Sequence, residues 1–285
     1  MDGFFSSGPH SLAVPQTHAH VNDRIELQLA NTPEARGHAY KIRHDAYLSY
    51  NYITPRETGL FSDKYDERQN VATVLVTKGG EPAATVRVCL YDSLGRLPDA
   101  DRIPAMEIFE SEIRALTCDE QGSGRLRAVE ITRLARRCDL ATDKAVISAM
   151  FSAVGYQVLA YDADIVLNAC RPHHIPMYRR FGFRKIEEPR QYPNLTYKAA
   201  LLACFRSSYD QAQATLPFLR GISVHDWAYE QLLKGELVEV SDSICRDSVR
   251  LAPVSGMSFQ PPRNPPDEFM YASYAAPALH AAAAV

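Results

Sequence analysis

Glu130-Ile131-Thr132-Arg133-Leu134-Ala135 overlaps a segment, 125–134, that reads as a strand with a charged residue, Glu130, at its middle. A helix is predicted after it over 143–161. Val146, Ile147, Met150, Phe151, Val154 and Val158 recur there at helical spacing, and Thr142 is a candidate N-cap. The short, almost wholly apolar run 165–169 follows, bounded by Asp164 and Pro172, and suits a buried central strand.

Working outward, 24–30 alternates apolar and polar positions and reads as a first strand. Thr32 and Pro33 then start a helix to about Ser49, as N-cap and first helical residue, with Ala39, Ile42, Ala46 and Tyr47 on its apolar side. A long loop at 51–69 precedes two strands, 71–77 and 83–91, joined by the turn Lys78-Gly79-Gly80-Glu81. A helix around 106–116, a turn at Gly122-Ser123-Gly124, a short helix at 175–181 and strands at 183–187 and 197–205 complete the pattern. Strands alternating with helices, plus an early hairpin, predict an α/β fold of mixed α+β kind: a central mixed, twisted sheet flanked by helices. Residues 1–23 read as a flexible lead-in and 24–205 as the main domain. A helical extension follows at 206–252, with helical patterns at 209–219 and 225–233. The Pro/Ala-rich tail, 253–285, reads as disordered.

Composition limits the function classes. The 285 residues are 46% hydrophobic and 23% charged, as in an ordinary globular protein. The net charge of -3 gives no global reason to expect nucleic-acid binding. Six widely spaced cysteines without a C-x-x-C pair suggest reduced thiols and a cytoplasmic setting. No apolar run reaches the roughly 20 residues of a membrane span, and the first twenty residues lack the marks of a secretory signal.

Four charged motifs follow one another: Arg43-x-x-x-Tyr47, Asp63-Lys64-Tyr65-Asp66, Thr85-Val86-Arg87 and Glu130-Ile131-Thr132-Arg133. Tyr178-Arg179-Arg180-Phe181-Gly182-Phe183 comes later. In this order, over about 24–205, the motifs resemble one branch of the GNAT acyltransferases, shared by acyl-homoserine-lactone autoinducer synthases and N-acyl amino acid synthases. The resemblance implies the GNAT fold and an acyl-phosphopantetheine thioester as donor substrate, with no permanently bound cofactor and no metal. Common acetyl-CoA-using members of that fold carry a glycine-rich loop after the fourth strand, whose N–H groups hold the coenzyme's pyrophosphate. Here 133–142 contains no glycine. That departure points to acyl-carrier protein as partner more than to acyl-CoA. The autoinducer synthases usually have a Trp after the first helix; this chain reads Tyr50-Asn51-Tyr52-Ile53, which favours an amino acid acceptor over lactone synthesis. The other readings are a lactone synthase using S-adenosylmethionine and a non-catalytic module that binds a carrier protein.

The residues also yield a chemistry of their own. Amide formation from a thioester needs a neutral amine, a polarised carbonyl and a protonated leaving sulfur. An α-amino group titrates near pH 8, so a positioned carboxylate can help deprotonate it. Glu130 is the candidate base, and Tyr178 resembles the GNAT tyrosine that protonates the sulfur. Arg43, Tyr47, Asp63, Asp66, Arg87 and Arg133 are candidate substrate contacts, with Arg43 or Arg87 for the acceptor carboxylate. The same charges can equally form an ion-pair network that holds the loop to the sheet, and Tyr178 can be a core residue. Val129, Ile131, Met150, Phe151 and Leu167 are expected in the wall of an acyl channel or in the core. Arg136, Arg137, Arg179 and Arg180 are expected to dock an acidic carrier protein. His173-His174 has no third ligand suitably spaced, so no metal site is expected. Cys170 reads as a buried strand-end thiol.

Overall fold

A computed structural model describes residues 24–118, 126–193, 195–220, 222–223, 225 and 227–240. The expectations for 1–23, for the glycine turn at 122–124 and for the tail at 253–285 lie outside these residues. In chain order the elements are β1 (Ile25–Leu29), α1 (Pro33–Ser49), β2 (Val71–Lys78), β3 (Glu81–Asp92), α2 (Met106–Thr117) and β4 (Arg127–Arg136). Then come α3 (Lys144–Ala160), β5 (Ile165–Cys170), α4 (Ile175–Arg180), β6 (Arg184–Gln191) and β7 (Lys198–Phe205). The extension supplies α5 (Arg206–Thr215), α6 (Pro217–Arg220), α7 (Trp227–Leu233) and β8 (Val238–Val240).

The eight strands form one sheet in the order β6-β7-β5-β4-β3-β2-β1-β8. Only β4 and β5 run parallel, because α3 crosses over between them. The β2–β3 hairpin turns at Gly79 and Gly80, both at positive φ, which a tight hairpin requires and glycine supplies without strain.

Strand alternation decides the two layers. Val86, Val88 and Leu90 of β3 and Val129 and Ile131 of β4 share a core with α3. Cys89, Tyr91 and Ala128 face the opposite way, into a second core with α2. Arg87 and Glu130 therefore fall on the α2 side by the same alternation. α1 packs on the sheet, its Ile42 and Ala46 meeting Leu75 and Ala135. α3 is buried from Val146 to Val158 because the sheet covers one side and the extension the other.

Local signals account for the helix starts. Thr32 Oγ1 accepts from the Ala35 N–H at 3.2 Å, with Pro33 beginning α1 as expected. For α3 the cap is Asp143, not Thr142. Its carboxylate accepts from the N–H groups of Ala145 and Val146 and is held by Lys78 Nζ at 2.6 Å. A carboxylate outcompetes a neighbouring hydroxyl at the positive end of a helix. The helix expected over 209–219 is interrupted at Leu216. β8, which pairs with β1, went unforeseen; three residues are too few to show alternation. Among the described residues no helix is long and apolar enough to cross a membrane.

Candidate active site

The decisive geometry is at the middle of the sheet. β4 and β5 pair from Ala128–Ile165 to Ile131–Asn168 and no further, although β4 continues to Arg136 and β5 to Cys170. Asn168 marks the parting point: its Nδ2 donates to the Ile131 carbonyl at 2.9 Å, and Tyr178 Oη lies 3.3 Å from the same nitrogen. On the other side of β4, pairing with β3 jumps from Arg87–Thr132 to Thr85–Ala135. The additional residue is a β-bulge, and Arg133 within it has φ +52°. Bulges re-aim side chains and are common beside active sites.

The strands part around a cleft of about 720 Å³, open to solvent, and Tyr47, Glu130, Arg133, Asn168, Tyr178 and Tyr192 are among its walls. A neighbouring cleft lies under the 51–69 loop, with Asp63, Lys64, Tyr65 and Glu107 along it. Arg133, Tyr192 and Leu195 line both and form the partition.

Below the partition the charges form a chain. Arg43 donates to Asp66 Oδ1 at 2.7 Å and to Thr73 Oγ1 at 3.2 Å. Arg87 contacts the same Asp66 oxygen at 2.9 Å and both oxygens of Asp63, at 2.7 and 3.1 Å. Arg133 closes the chain on Asp63 Oδ2, at 3.0 Å from Nε and 2.6 Å from Nη2. The Asp63 N–H donates to Asp66 at 2.8 Å, so the loop is tied to itself as well as to the sheet. Burial pushes the Asp63 carboxyl up, but Arg87 and Arg133 outweigh it and hold it well below the usual carboxylate range. Asp66 is likewise lowered, with burial opposed by Arg43 and Arg87.

The expected substrate contacts therefore separate. Arg43 and Arg87 are 0% exposed, line neither cleft and are already engaged by aspartates. In this arrangement their guanidinium groups tie the 51–69 loop to the sheet and stand apart from both clefts. Asp66 lines neither cleft and belongs with them. Tyr47, Asp63 and Arg133 do border the clefts.

Glu130 differs in kind. It is 1% exposed, and its Oε2 accepts from the Ala105 N–H at 2.8 Å. Among the described residues it makes no salt bridge. Burial pushes its carboxyl up to about 7, against the downward pull of that N–H, Arg87 and Arg133. Tyr178 is buried with its ring edge-on to Phe183, 5.2 Å between centroids.

The four arginines expected to dock a carrier protein differ in burial: Arg137, Arg179 and Arg180 are exposed, whereas Arg136 is 4% exposed. Adjacent strand residues point to opposite faces, so Arg136 and Arg137 cannot both face solvent. Burial raises the Cys170 thiol to about 12, so it is not an activated nucleophile. His174 Nε2 lies 2.8 Å from Arg171 Nη2, and the described residues hold no cluster of three metal-ligating side chains.

Sequence reading missed the aromatic wall. Arg171 stacks 4.1 Å over the Tyr52 ring and 5.6 Å from that of Tyr197, on the rim of the first cleft. The tyrosines flanking 192–197 were the available signal.

The sequence model of the family described as N-acyl amino acid synthase FeeM matches residues 38–204. The chain belongs to the FeeM N-acyl amino acid synthase family. It is therefore an acyltransferase that makes N-acyl products, and its fold is GNAT-like. The solved structure of FeeM, an N-acyl amino acid synthase from uncultured soil microbes, aligns at 17% identity and a TM-score of 0.54. The alignment covers 70% of this chain and 99% of FeeM. The CoA-dependent acyl-homoserine lactone synthase BjaI aligns at 16% identity and a TM-score of 0.48, covering 78% of this chain and 99% of BjaI. The homoserine lactone synthase LasI gives 12% and 0.45, covering 71% and 97%. No curated protein sequence gives a significant match.

Proposed function

We propose that the protein transfers a medium- to long-chain acyl group from acyl-carrier protein to the α-amine of an amino acid. The observation that carries this reading is Glu130: a buried carboxyl with no cation of its own, on the wall of the cleft where β4 and β5 part, poised near neutral pH. In its ionised form it takes a proton from the incoming amine, directly or through water, as the nitrogen attacks the thioester carbonyl carbon. The C–N bond forms and the C–S bond breaks. Tyr178, across the cleft, gives its proton to the departing sulfur. An N–H group at the Arg133 bulge is suitably located for the oxyanion. Arg133, on the partition between the clefts, pairs with the acceptor carboxylate. The acceptor enters beside Asp63 and the pantetheine arm enters beside Tyr52 and Tyr197. Arg43, Arg87 and Asp66 serve as positioning residues that hold the loop.

Carrier protein is favoured over coenzyme A by the start of α3. Asp143 fills that N-terminus with its own carboxylate. A pyrophosphate there would meet a negative charge in place of free N–H groups. The exposed Arg137, Arg179 and Arg180 supply opposite charge for an acidic carrier. Free thiols at all five described cysteines support a reducing, cytoplasmic setting.

Mass spectrometry of lipid extracts from cells expressing the protein, beside cells expressing Glu130→Gln, tests the reading. N-acyl amino acids formed only by the unmodified protein are expected. An acyl-homoserine lactone in their place, or equal amounts of product from both proteins, would overturn it.

A further inference from the structure

We infer that Asn168 is a positioning residue for the leaving-group step: its amide nitrogen fixes the Tyr178 hydroxyl as a hydrogen-bond acceptor, which turns the phenol proton toward the departing sulfur. The inference rests on the acyl-transfer reading above and adds to it the group that orients the acid.

Asn168 closes the parallel ladder of β4 and β5, opposite Ile131, and is 5% exposed on the wall of the reaction cleft. A side-chain amide nitrogen carries two hydrogens. One goes to the Ile131 carbonyl at 2.9 Å and the other to Tyr178 Oη at 3.3 Å. A carbonyl can only accept, so the nitrogen, and not the amide oxygen, must face Ile131. With that bond set, the planar amide presents its second hydrogen to Tyr178.

The nitrogen has no lone pair to offer in return. Tyr178 is therefore the acceptor in this bond, and its own proton points elsewhere than at Asn168. Phe181 and Phe183 meet the ring edge-on, at 6.4 and 5.2 Å between centroids, and settle where the ring lies. Apolar contacts of that kind cannot choose a rotation about the phenol C–O bond. Asn168 makes that choice, and both residues line the cleft proposed for the thioester.

The other end of the amide argues against a role in packing alone. Asn168 Oδ1 is buried and has no hydrogen-bond partner among the described residues. A buried acceptor left unpaired is unfavourable, and leucine would fill a similar volume without it. Such a group calls for an explanation, and two donors in one fixed plane supply it. No apolar side chain could join a strand carbonyl to a phenol.

In the step itself the C–S bond breaks, its electron pair stays on sulfur, and the Tyr178 proton passes to that sulfur. The phenolate oxygen left behind is the atom that already accepts from Asn168 Nδ2, so the amide also steadies the charge that forms. Water in the open cleft returns a proton before the next turnover.

Two donors with the same acyl group and different leaving thiols test the inference. An alkyl thioester such as acyl-pantetheine needs the proton, whereas an aryl thioester releases a stable thiolate without it. Asn168→Leu should lower turnover of the alkyl thioester about a hundredfold, and the loss for the aryl thioester should be about tenfold smaller. Tyr178→Phe should show the same contrast, and the double variant should be no slower than Tyr178→Phe alone. Circular dichroism establishes that each variant is folded; if Asn168→Leu is not, Asn168→Ser, with one donor for two acceptors, replaces it. Equal losses with both donors in the folded Asn168 variant, beside a contrast in Tyr178→Phe, would overturn the inference and leave the acyl-transfer reading standing. The absence of any contrast in Tyr178→Phe would refute that tyrosine's part in the acyl-transfer reading, and the inference with it.

Discussion

Two groups of buried charge lie close together on the α2 side of the sheet and behave oppositely. In the Arg43–Asp66–Arg87–Asp63–Arg133 chain each carboxylate meets two guanidinium groups, and the carboxyls are held ionised. Glu130 receives one backbone N–H, and burial raises its carboxyl to about 7. Buried charge stabilised by ion pairs suits a scaffold, because its protonation does not change near neutral pH. A buried carboxyl with a single neutral donor can change protonation there, as a general base must.

The largest effect expected from breaking the contrast is on stability. Asp66→Ala leaves Arg43 and Arg87 buried with less compensation and should cost about 3–5 kcal/mol. Urea unfolding would measure it, and a change below 1 kcal/mol would remove Asp66 from the scaffold.

Glu130→Gln should act the other way round. Turnover should fall by about a hundredfold or more if Glu130 is the base, while the fold is kept. In the unmodified protein, turnover should rise with pH through about 7 as Glu130 ionises, and the variant should lack that rise. Stability supplies an independent reading. A carboxyl raised in the folded state binds its proton more tightly there than when unfolded. Its contribution is present below the unfolded value near 4.5 and is lost as pH rises to about 7. Glu130→Gln should flatten that decline in thermal stability between pH 4.5 and 7; an unchanged decline would mean that another group titrates.

The smallest effect concerns the exposed charges. Arg179→Glu with Arg180→Glu should raise the Michaelis constant for acyl-carrier protein severalfold, through slower association. The constant for acyl-pantetheine should not move. Equal changes for both donors would exclude docking at that face.

The charged motifs were legible before folding, but their division of labour was not. Arg43, Arg87 and Arg133 look equivalent in the chain. Arg43 points inward from a helix and Arg87 from a central strand, whereas the bulge turns Arg133 toward both clefts. Arg136 and Arg137 are likewise one basic pair in sequence and two environments in the structure. Asn168, Tyr192 and Tyr197 escaped notice because they come together only when the ends of β5, β6 and β7 meet the 51–69 loop.

What the sequence by itself determined is the order of elements from β1 to β7 and the acyltransferase family. Apolar periodicity, turn residues and the ordered charged motifs are properties of the chain, readable one segment at a time. The tertiary structure alone decided where β4 and β5 stop pairing and which arginines each aspartate holds. Ladder hydrogen bonds join backbone groups that are alike at every residue, and burial depends on neighbours distant in the chain. A local pattern can therefore name a strand without saying where it leaves its neighbour, and the candidate site lies at that departure.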